Sequence, residues 1–166
     1  MVYKGKKLTN SYSGQQLVFL RTAAETNGSM LEMEMTLMGN SPEPPLHYHP
    51  LQSEEFRILT GKLTVRMGDN VREYGKGQYF AIPSRTPHSM WNAGAEAVVV
   101  NWKVQPALET AEFFEQAYNL GKPGLIDKIA LARKYAHVFR LSKPHPVMLW
   151  LLYILVYPMI WLKKKC

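Results

Sequence analysis

Cysteine is almost absent from this chain of 166 residues, since its single cysteine is the last residue, Cys166. A disulfide framework within the chain is therefore excluded, and metal binding or nucleophilic catalysis by cysteine is not expected. The first sixteen residues contain lysines but no apolar stretch, so the sequence does not support a secretory signal. We expect a cytoplasmic protein on these grounds.

Acidic residues are scarce in the C-terminal quarter of the chain. Residues 1–120 carry 11 Lys and Arg against 12 Asp and Glu, whereas residues 121–166 carry 9 Lys and Arg against only Asp127. The net charge of +7 therefore comes from the C-terminal quarter. Because the rest of the chain is close to neutral, the basic composition does not indicate nucleic-acid binding, and we expect no nucleic-acid partner.

Hydrophobic residues make up 46% of the chain, enough for one ordinary domain with a core. From about residue 16 to 104, short apolar runs alternate with Gly, Pro, Asn and Asp, and period-two alternation is clearest in residues 31–35 and 62–67. Gly68-Asp69-Asn70 favours a hairpin turn. Many short strands at regular spacing predict an antiparallel sandwich or barrel, which we place at residues 1–106.

The pattern changes after Pro106 and predicts a helical C-terminal extension over residues 107–166. Helical spacing predicts one helix over residues 108–120 and a second, basic helix over residues 125–141. Gly121 and the Pro123-Gly124 pair separate the two helices. Residues 147–162 then run without a single charge.

The apolar segment 147–162 leaves two interpretations open. Sixteen residues extend about 24 Å as a helix, short of the roughly 30 Å hydrocarbon core of a membrane, and Pro158 would kink them. A helix that is apolar on every face is buried in protein or touches lipid. It either packs on the barrel or a partner subunit, or it holds residues 147–166 against the anionic inner face of a membrane.

Three of the five histidines fall in a group with one glutamate. His47 and His49 are two residues apart, so on a strand both imidazoles point to the same face. Glu54 follows after a turn and can supply a carboxylate oxygen, and His88 comes from a strand that would have to lie opposite. Imidazoles with a carboxylate suit a divalent transition metal (Fe, Mn, Zn, Ni, Co or Cu). The alternative is an ordinary group of hydrogen-bonded cavity histidines. We call these four residues the candidate ligand set.

The spacing around the candidate ligand set resembles the two motifs of the cupin superfamily. The first reads His47-x-His49-x4-Glu54-x6-Gly61, and the second reads Gly77-x5-Pro83-x-Arg85-x2-His88-x3-Asn92. Two departures stand out. The leading glycine of the first motif would fall at Ser41, with Gly39 two residues early. Arg85 replaces the internal glycine of the second motif, which strains the backbone if that loop needs a positive φ.

The resemblance, which is to small bacterial single-barrel cupins, implies a mainly β jelly-roll barrel of antiparallel strands followed by C-terminal α-helices. It also implies that the candidate ligand set binds a metal and that the chain forms a homodimer. Oxygenase, isomerase or decarboxylase chemistry on a small organic molecule follows from the same resemblance, and we favour a dioxygenase-like reaction. Glu54 would then double as a catalytic proton shuttle when it detaches from the metal.

Three further residues are candidates for substrate binding. Strand alternation places Phe56 on the Glu54 face and Met90 on the His88 face, as an apolar wall around a polar centre. Arg85 lies beside His88 and is able to meet an anionic group. The alternatives are barrel core for the apolar residues and a solvated surface position for the arginine. For the whole chain, the rival interpretations are a non-catalytic module that binds a small ligand, and a structural oligomer with a vestigial site.

Overall fold

The computed structural model of the chain describes residues 2–143 and seven residues of the tail: Met148, Trp150, Leu151, Tyr153, Ile154, Leu155 and Tyr157. These seven residues are helical. The rest of the predicted apolar segment 147–162 lies outside the described residues. Within the part of the chain that is described, no helix is both long enough and apolar enough to cross a membrane.

Strands dominate the described residues and form two antiparallel sheets. Their bounds are β1 (Lys7–Thr9), β2 (Gln16–Arg21), β3 (Leu31–Leu37), β4 (His47–Tyr48), β5 (Ser53–Thr60), β6 (Lys62–Met67), β7 (Asn70–Gly75), β8 (Tyr79–Ile82), β9 (His88–Trp91), β10 (Val98–Gln105) and β11 (Arg140–Leu141). The first sheet has the order β1-β2-β3-β10-β5-β8, and the second has the order β11-β4-β9-β6-β7. The helices are α1 (Thr110–Asn119) and α2 (Leu125–Lys134). A mainly β antiparallel barrel with C-terminal helices is therefore confirmed.

Alternation along β3 and β10 explains why these strands lie at the centre of the first sheet. In β3 every second side chain, from Leu31 to Leu37, is buried, and β10 repeats the pattern from Val98 to Val104. The two strands pair directly along this length. Full burial of one such side chain contributes roughly 1.5–3 kcal/mol, so a slip of one residue in the register would lose several of these contributions.

The second sheet closes the core from the other side. Leu63 and Val65 of β6 are buried in the same cluster as Phe56 and Ile58 of β5, which belong to the first sheet. β6 and β7 form the hairpin predicted at residues 68–70, and Gly68 adopts a positive φ of 58° in its turn. The core therefore lies between the two sheets, and the faces of their strands determine which side chains point into it.

Asn92 joins the loops at one end of the barrel. Its side chain is buried, and its amide nitrogen donates to the carbonyl oxygens of Leu37 and Glu96 at 3.2 and 2.7 Å. Its amide oxygen accepts a hydrogen bond from the backbone N–H of Gly94 at 3.1 Å. One side chain thus satisfies three backbone groups from two separate parts of the chain, as burial of those groups requires.

Gly39 lies where the loop after β3 meets the loop before β10. The next residue, Asn40, donates its backbone N–H to the carbonyl of Gly94 at 2.7 Å. A Cβ added at Gly39 would lie 1.8 Å from the carbonyl oxygen of Ala95. The glycine that falls two residues early in the first motif is therefore required by this close approach of two backbones.

The C-terminal extension returns to the barrel. α2 ends at Lys134, seven residues before the predicted end, and Arg140–Leu141 form β11. β11 pairs with β4, so that Leu141 lies opposite His47. Without β11, β4 would be the edge of its sheet with unpaired backbone groups, and β11 supplies their partners. Buried Tyr135 and Val138 anchor the connection. The division into domains 1–106 and 107–166 stays a prediction.

We expect Gly39→Ala to lower the free energy of unfolding by at least about 2 kcal/mol, because the backbone at Ala95 must move to admit the methyl group. Gly75→Ala is the matched control, since a Cβ there meets only the side chain of Gln78, at 3.7 Å. Urea unfolding of both variants measures the difference. Equal stability would show that the loop accommodates a side chain at position 39.

Candidate metal centre

The candidate ligand set draws on both sheets. His47 begins β4 and lies opposite His88, the first residue of β9, while Glu54 lies on β5 of the other sheet. His49 follows β4 directly and shares the face of His47, as expected for residues two apart in an extended segment. The ligand atoms of the three histidines lie within 4.8 Å of one another. Residues far apart in sequence therefore converge inside the barrel.

Backbone carbonyls orient all three imidazoles. Nδ1 of His47, His49 and His88 lies 3.2, 2.7 and 2.8 Å from the carbonyl oxygens of Pro45, Val138 and Thr86, respectively. A carbonyl oxygen only accepts hydrogen bonds, so Nδ1 carries the hydrogen of each neutral ring and Nε2 presents a lone pair. Metal-binding histidines are oriented in the same way in proteins.

Glu54 is the most deeply buried charged group of the site. Its side chain is 1% exposed, with Oε1 3.3 Å from Nε2 of His49 and Oε2 3.0 Å from Nε2 of His88. Oε1 also accepts a hydrogen bond from the indole Nε1–H of Trp102 at 3.1 Å. The carboxylate is therefore held against two of the three imidazoles.

The protonation states follow from burial and proximity. Burial lowers the pKa of His47 to about 3, and the charges of His88 and His49 act in the same direction. Burial also lowers the pKa of His49. For Glu54, burial acts to raise the pKa, but the electrostatic interactions with the imidazoles of His49 and His88 outweigh it and the pKa falls. Burial acts to lower the pKa of His88, but the Glu54 carboxylate outweighs it and the pKa rises. An anionic carboxylate beside the neutral rings of His47 and His49 matches the forms that bind metals.

Three buried atoms of the site have no hydrogen-bond partner. Despite the short ion-pair distances, no described residue forms a hydrogen bond of acceptable geometry with Nε2 of His49, Nε2 of His88 or Oε2 of Glu54. Each unsatisfied buried polar atom costs about 1–3 kcal/mol. A cation bonded to these atoms would remove that cost, and imidazole nitrogen with carboxylate oxygen is a donor set that divalent transition metals accept. The residues present therefore fit a metal.

The three residues predicted to bind substrate lie at different depths. Phe56 is fully buried and stacks on Phe80 and Trp102, with ring centroids 4.9 and 5.6 Å apart. Met90 is half-buried and packs against the core. Arg85 is exposed, and its Nε donates to the carbonyl of Pro50 at 3.4 Å. A contact between any of the three and a ligand stays a prediction.

Arg85 adopts the conformation that a glycine would favour. Its φ is 63°, so the motif departure does place a non-glycine residue in the left-handed region. In this conformation its backbone N–H donates to the carbonyl of His49 at 2.8 Å. The loop therefore fixes the main chain of one candidate ligand.

Besides the neighbouring carbonyls of Pro45 and Thr86, residues distant in sequence contact the candidate ligand set without having been predicted. Trp102 donates to Glu54, the Val138 carbonyl accepts from His49, and the ring of Phe139 lies 4.8 Å from that of His47. We call residues 138–141 the cap segment. Strand alternation predicts that Trp102 points inward, but no local pattern reveals a contact between Val138 and His49, which are 89 residues apart.

Comparison with known proteins identifies the barrel. The family profile described as "Cupin domain" matches residues 33–103, a range that contains the whole candidate ligand set. No curated protein matches the chain. The fold, the motif spacing and the profile agree with one another.

Solved structures show the same fold at low sequence identity. A predicted oxalate decarboxylase from Thermotoga maritima is 20% identical, covers 64% of this chain and 99% of its own, and has a TM-score of 0.53. A cupin-superfamily sugar phosphate isomerase from Silicibacter pomeroyi is 14% identical over 60% and 70%, with a TM-score of 0.51. The Cnp3 cupin domain of Schizosaccharomyces pombe is 21% identical over 59% and 69%, with a TM-score of 0.50.

We expect Trp102→Phe to lower the free energy of unfolding by about 1–3 kcal/mol, because it removes the indole donor from the buried Glu54 carboxylate. Trp91→Phe is the matched control, since Trp91 is half-buried and its ring lies 5.9 Å from the Arg66 guanidinium, away from the carboxylate. Chemical unfolding of both metal-free variants makes the comparison. An equal loss in both would assign the effect to ring size rather than to the hydrogen bond.

Proposed function

This chain carries a cupin domain, and we propose that its candidate ligand set binds one divalent transition metal and that the protein acts on a small organic molecule. The observation that carries the proposal is the anchoring of Nδ1 of all three imidazoles to backbone carbonyls, which turns each Nε2 into an available ligand. The unsatisfied atoms of His49, His88 and Glu54 support it independently.

A metal bound there would act as a Lewis acid with coordination positions left for substrate, water or O2. The chain supplies the rest of the chemistry. Trp102 holds Oε1 of Glu54, while Oε2 accepts no hydrogen bond from the described residues. Oε2 would therefore accept a proton only when it leaves the metal, and Trp102 would keep the side chain in place during that step. We therefore propose Glu54 as the catalytic proton shuttle.

Within this function we favour a dioxygenase-like reaction over isomerase or decarboxylase chemistry. The resemblance to cupins is the only support for this choice, because the barrel hosts many chemistries and the solved relatives are too distant in sequence to transfer theirs. Oxygen uptake by the iron-loaded protein in the presence of candidate substrates is the direct measurement.

The second candidate function is a non-catalytic module that binds a small ligand, placed at a membrane or in an oligomer by its tail. The two functions predict different contents of the purified protein. A tightly held redox-active ion that still binds azide, seen as a change in its absorption spectrum, favours catalysis, since it has an open position. Protein purified with an organic ligand but without metal favours the binding module.

We expect protein purified without chelator or added metal to contain one transition-metal ion per chain. His47→Ala and His88→Ala should each weaken metal binding roughly 100-fold or more, because the loss of an outer hydrogen-bond partner alone costs 10–100-fold. Elemental analysis and competition with a chelator measure this. His137→Ala is the control, since His137 lies outside the site and pairs with Glu109 at 2.6 Å. Metal content that is unchanged in all three variants would show that these histidines do not form the metal site.

The described part of the tail presents an apolar surface. Six of its large side chains are between 48% and 74% exposed: Met148, Trp150, Leu151, Ile154, Leu155 and Tyr157. Basic residues lie on both sides of the tail in the sequence. We propose that this surface attaches a cytoplasmic protein to the anionic inner face of a membrane. The alternative occupant is a second copy of the chain, in line with the predicted homodimer.

Leu151→Glu combined with Leu155→Glu should abolish flotation of the protein with phosphatidylglycerol vesicles, since it places two like charges on the apolar surface. Leu125→Glu is the matched control, because Leu125 is 72% exposed but lies at the start of α2. Membrane attachment is supported if the wild type and the control float with the vesicles and the double variant does not. The tail would instead be assigned to self-association if the wild type does not float and sediments as a dimer, while the double variant sediments as a monomer.

A further inference from the structure

A small cavity lies between α2, the cap segment and Trp150 of the tail. Its volume is about 170 Å³, and its apolar walls include Ile129, Ala132, Ala136 and Trp150. A cavity of about 150 Å³ with apolar walls is large enough to hold benzene. The space therefore fits a compact apolar group of about the size of one aromatic ring.

Phe139 contacts both this cavity and the candidate metal centre. Its ring lines the cavity and also lies 4.8 Å from the ring of His47, at an interplanar angle of 32°. On another side it stacks on Phe113, with ring centroids 5.4 Å apart. One aromatic ring thus contacts both the cavity and one of the candidate ligands.

Two arginines give the cavity a positive charge. Arg133 and Arg140 both line it, and among the described residues no acidic side chain does. Arg140 is positioned by a hydrogen bond of 2.7 Å from its Nε to the carbonyl of Ala136, and its guanidinium has four further N–H donors. Guanidinium groups bind carboxylates with paired, charge-assisted hydrogen bonds. An apolar chamber with such donors at its wall matches an anion with a compact apolar body.

We propose that this cavity binds a small aromatic or similarly compact carboxylate, and that it is the substrate subsite of the metal centre, with Phe139 as the residue that contacts both. The assignment as a substrate subsite rests on the proposed function. The binding of the carboxylate does not, because every residue that lines the cavity lies outside the candidate ligand set.

Calorimetric titration with benzoate tests the binding site, first on protein stripped of metal. We expect saturable binding of one benzoate per chain. Benzyl alcohol should bind with an affinity at least about tenfold lower, because it lacks the negative charge that the arginines recognise. Ala132→Phe fills the cavity without changing its charge and should abolish binding. Saturable benzoate binding that survives Ala132→Phe, or no binding to the wild type, would overturn the site.

Arg140→Gln tests the charge. It should weaken benzoate binding about tenfold while leaving the weak binding of benzyl alcohol unchanged. Lys134→Gln is the matched control, since it removes one positive charge from the same region at a residue that does not line the cavity. An equal loss in both variants would mean that the general positive charge, and not the cavity, attracts benzoate.

The proposal that the cavity is the substrate subsite of the metal centre is tested by a separate measurement, the absorption spectrum of a bound metal. In protein loaded with cobalt(II), benzoate should change the visible absorption of the metal, and Ala132→Phe should remove that change. Benzoate binding that leaves the cobalt spectrum untouched would overturn the substrate subsite. Failure of the metal proposal is distinguishable, because it would appear as a lack of cobalt binding while benzoate still binds the metal-free protein.

Discussion

Glu54 brings a carboxylate to 1% exposure in a barrel whose interior is otherwise largely apolar. A buried charge is tolerated only where other groups replace its water, and the surrounding residues do this in different ways. Trp102 donates a hydrogen bond to one oxygen, and the imidazoles of His49 and His88 face both oxygens. Their combined effect keeps the pKa of Glu54 below its ordinary value in spite of burial. The inward-facing residues of β4, β5, β9 and β10 are arranged around this one charge.

The need to hold the side chains around Glu54 in position also ties the C-terminal extension to the barrel. His49 is held from two directions, because Arg85 donates to its backbone carbonyl and the Val138 carbonyl accepts from its ring. β11 adds a strand beside His47, and Phe139 covers that ring. The cap segment is therefore part of the wall of the site. A change in the extension would reach the candidate ligands through a hydrogen bond and a strand pairing, without any contact between the apolar tail and the metal.

The two departures from the cupin motifs have different physical consequences. Gly39 is needed because the backbone at Ala95 leaves no room for a side chain, so the glycine has moved to the position where the two loops meet. Arg85 instead accepts a left-handed conformation that costs a residue with a Cβ about 1–2 kcal/mol. Its hydrogen bond to His49 offsets part of that cost and places strain next to the candidate centre, where such conformations are often found.

Local patterns in the sequence were sufficient for the barrel, since alternation in β3 and β6 directly reports which face of a strand is buried. The resemblance to the cupin motifs predicted that His47, His49 and His88 come together, and the structure places their ligand atoms within 4.8 Å of one another. The start of α1 and the hairpin at Gly68 followed from the same local signals. Only the tertiary structure decided that α2 stops at Lys134, that residues 140–141 join a sheet, and that Val138 and Phe139 reach the histidines. These features depend on contacts between residues about 90 positions apart, whose energies come from packing and hydrogen bonding in three dimensions and leave no periodic trace in the chain.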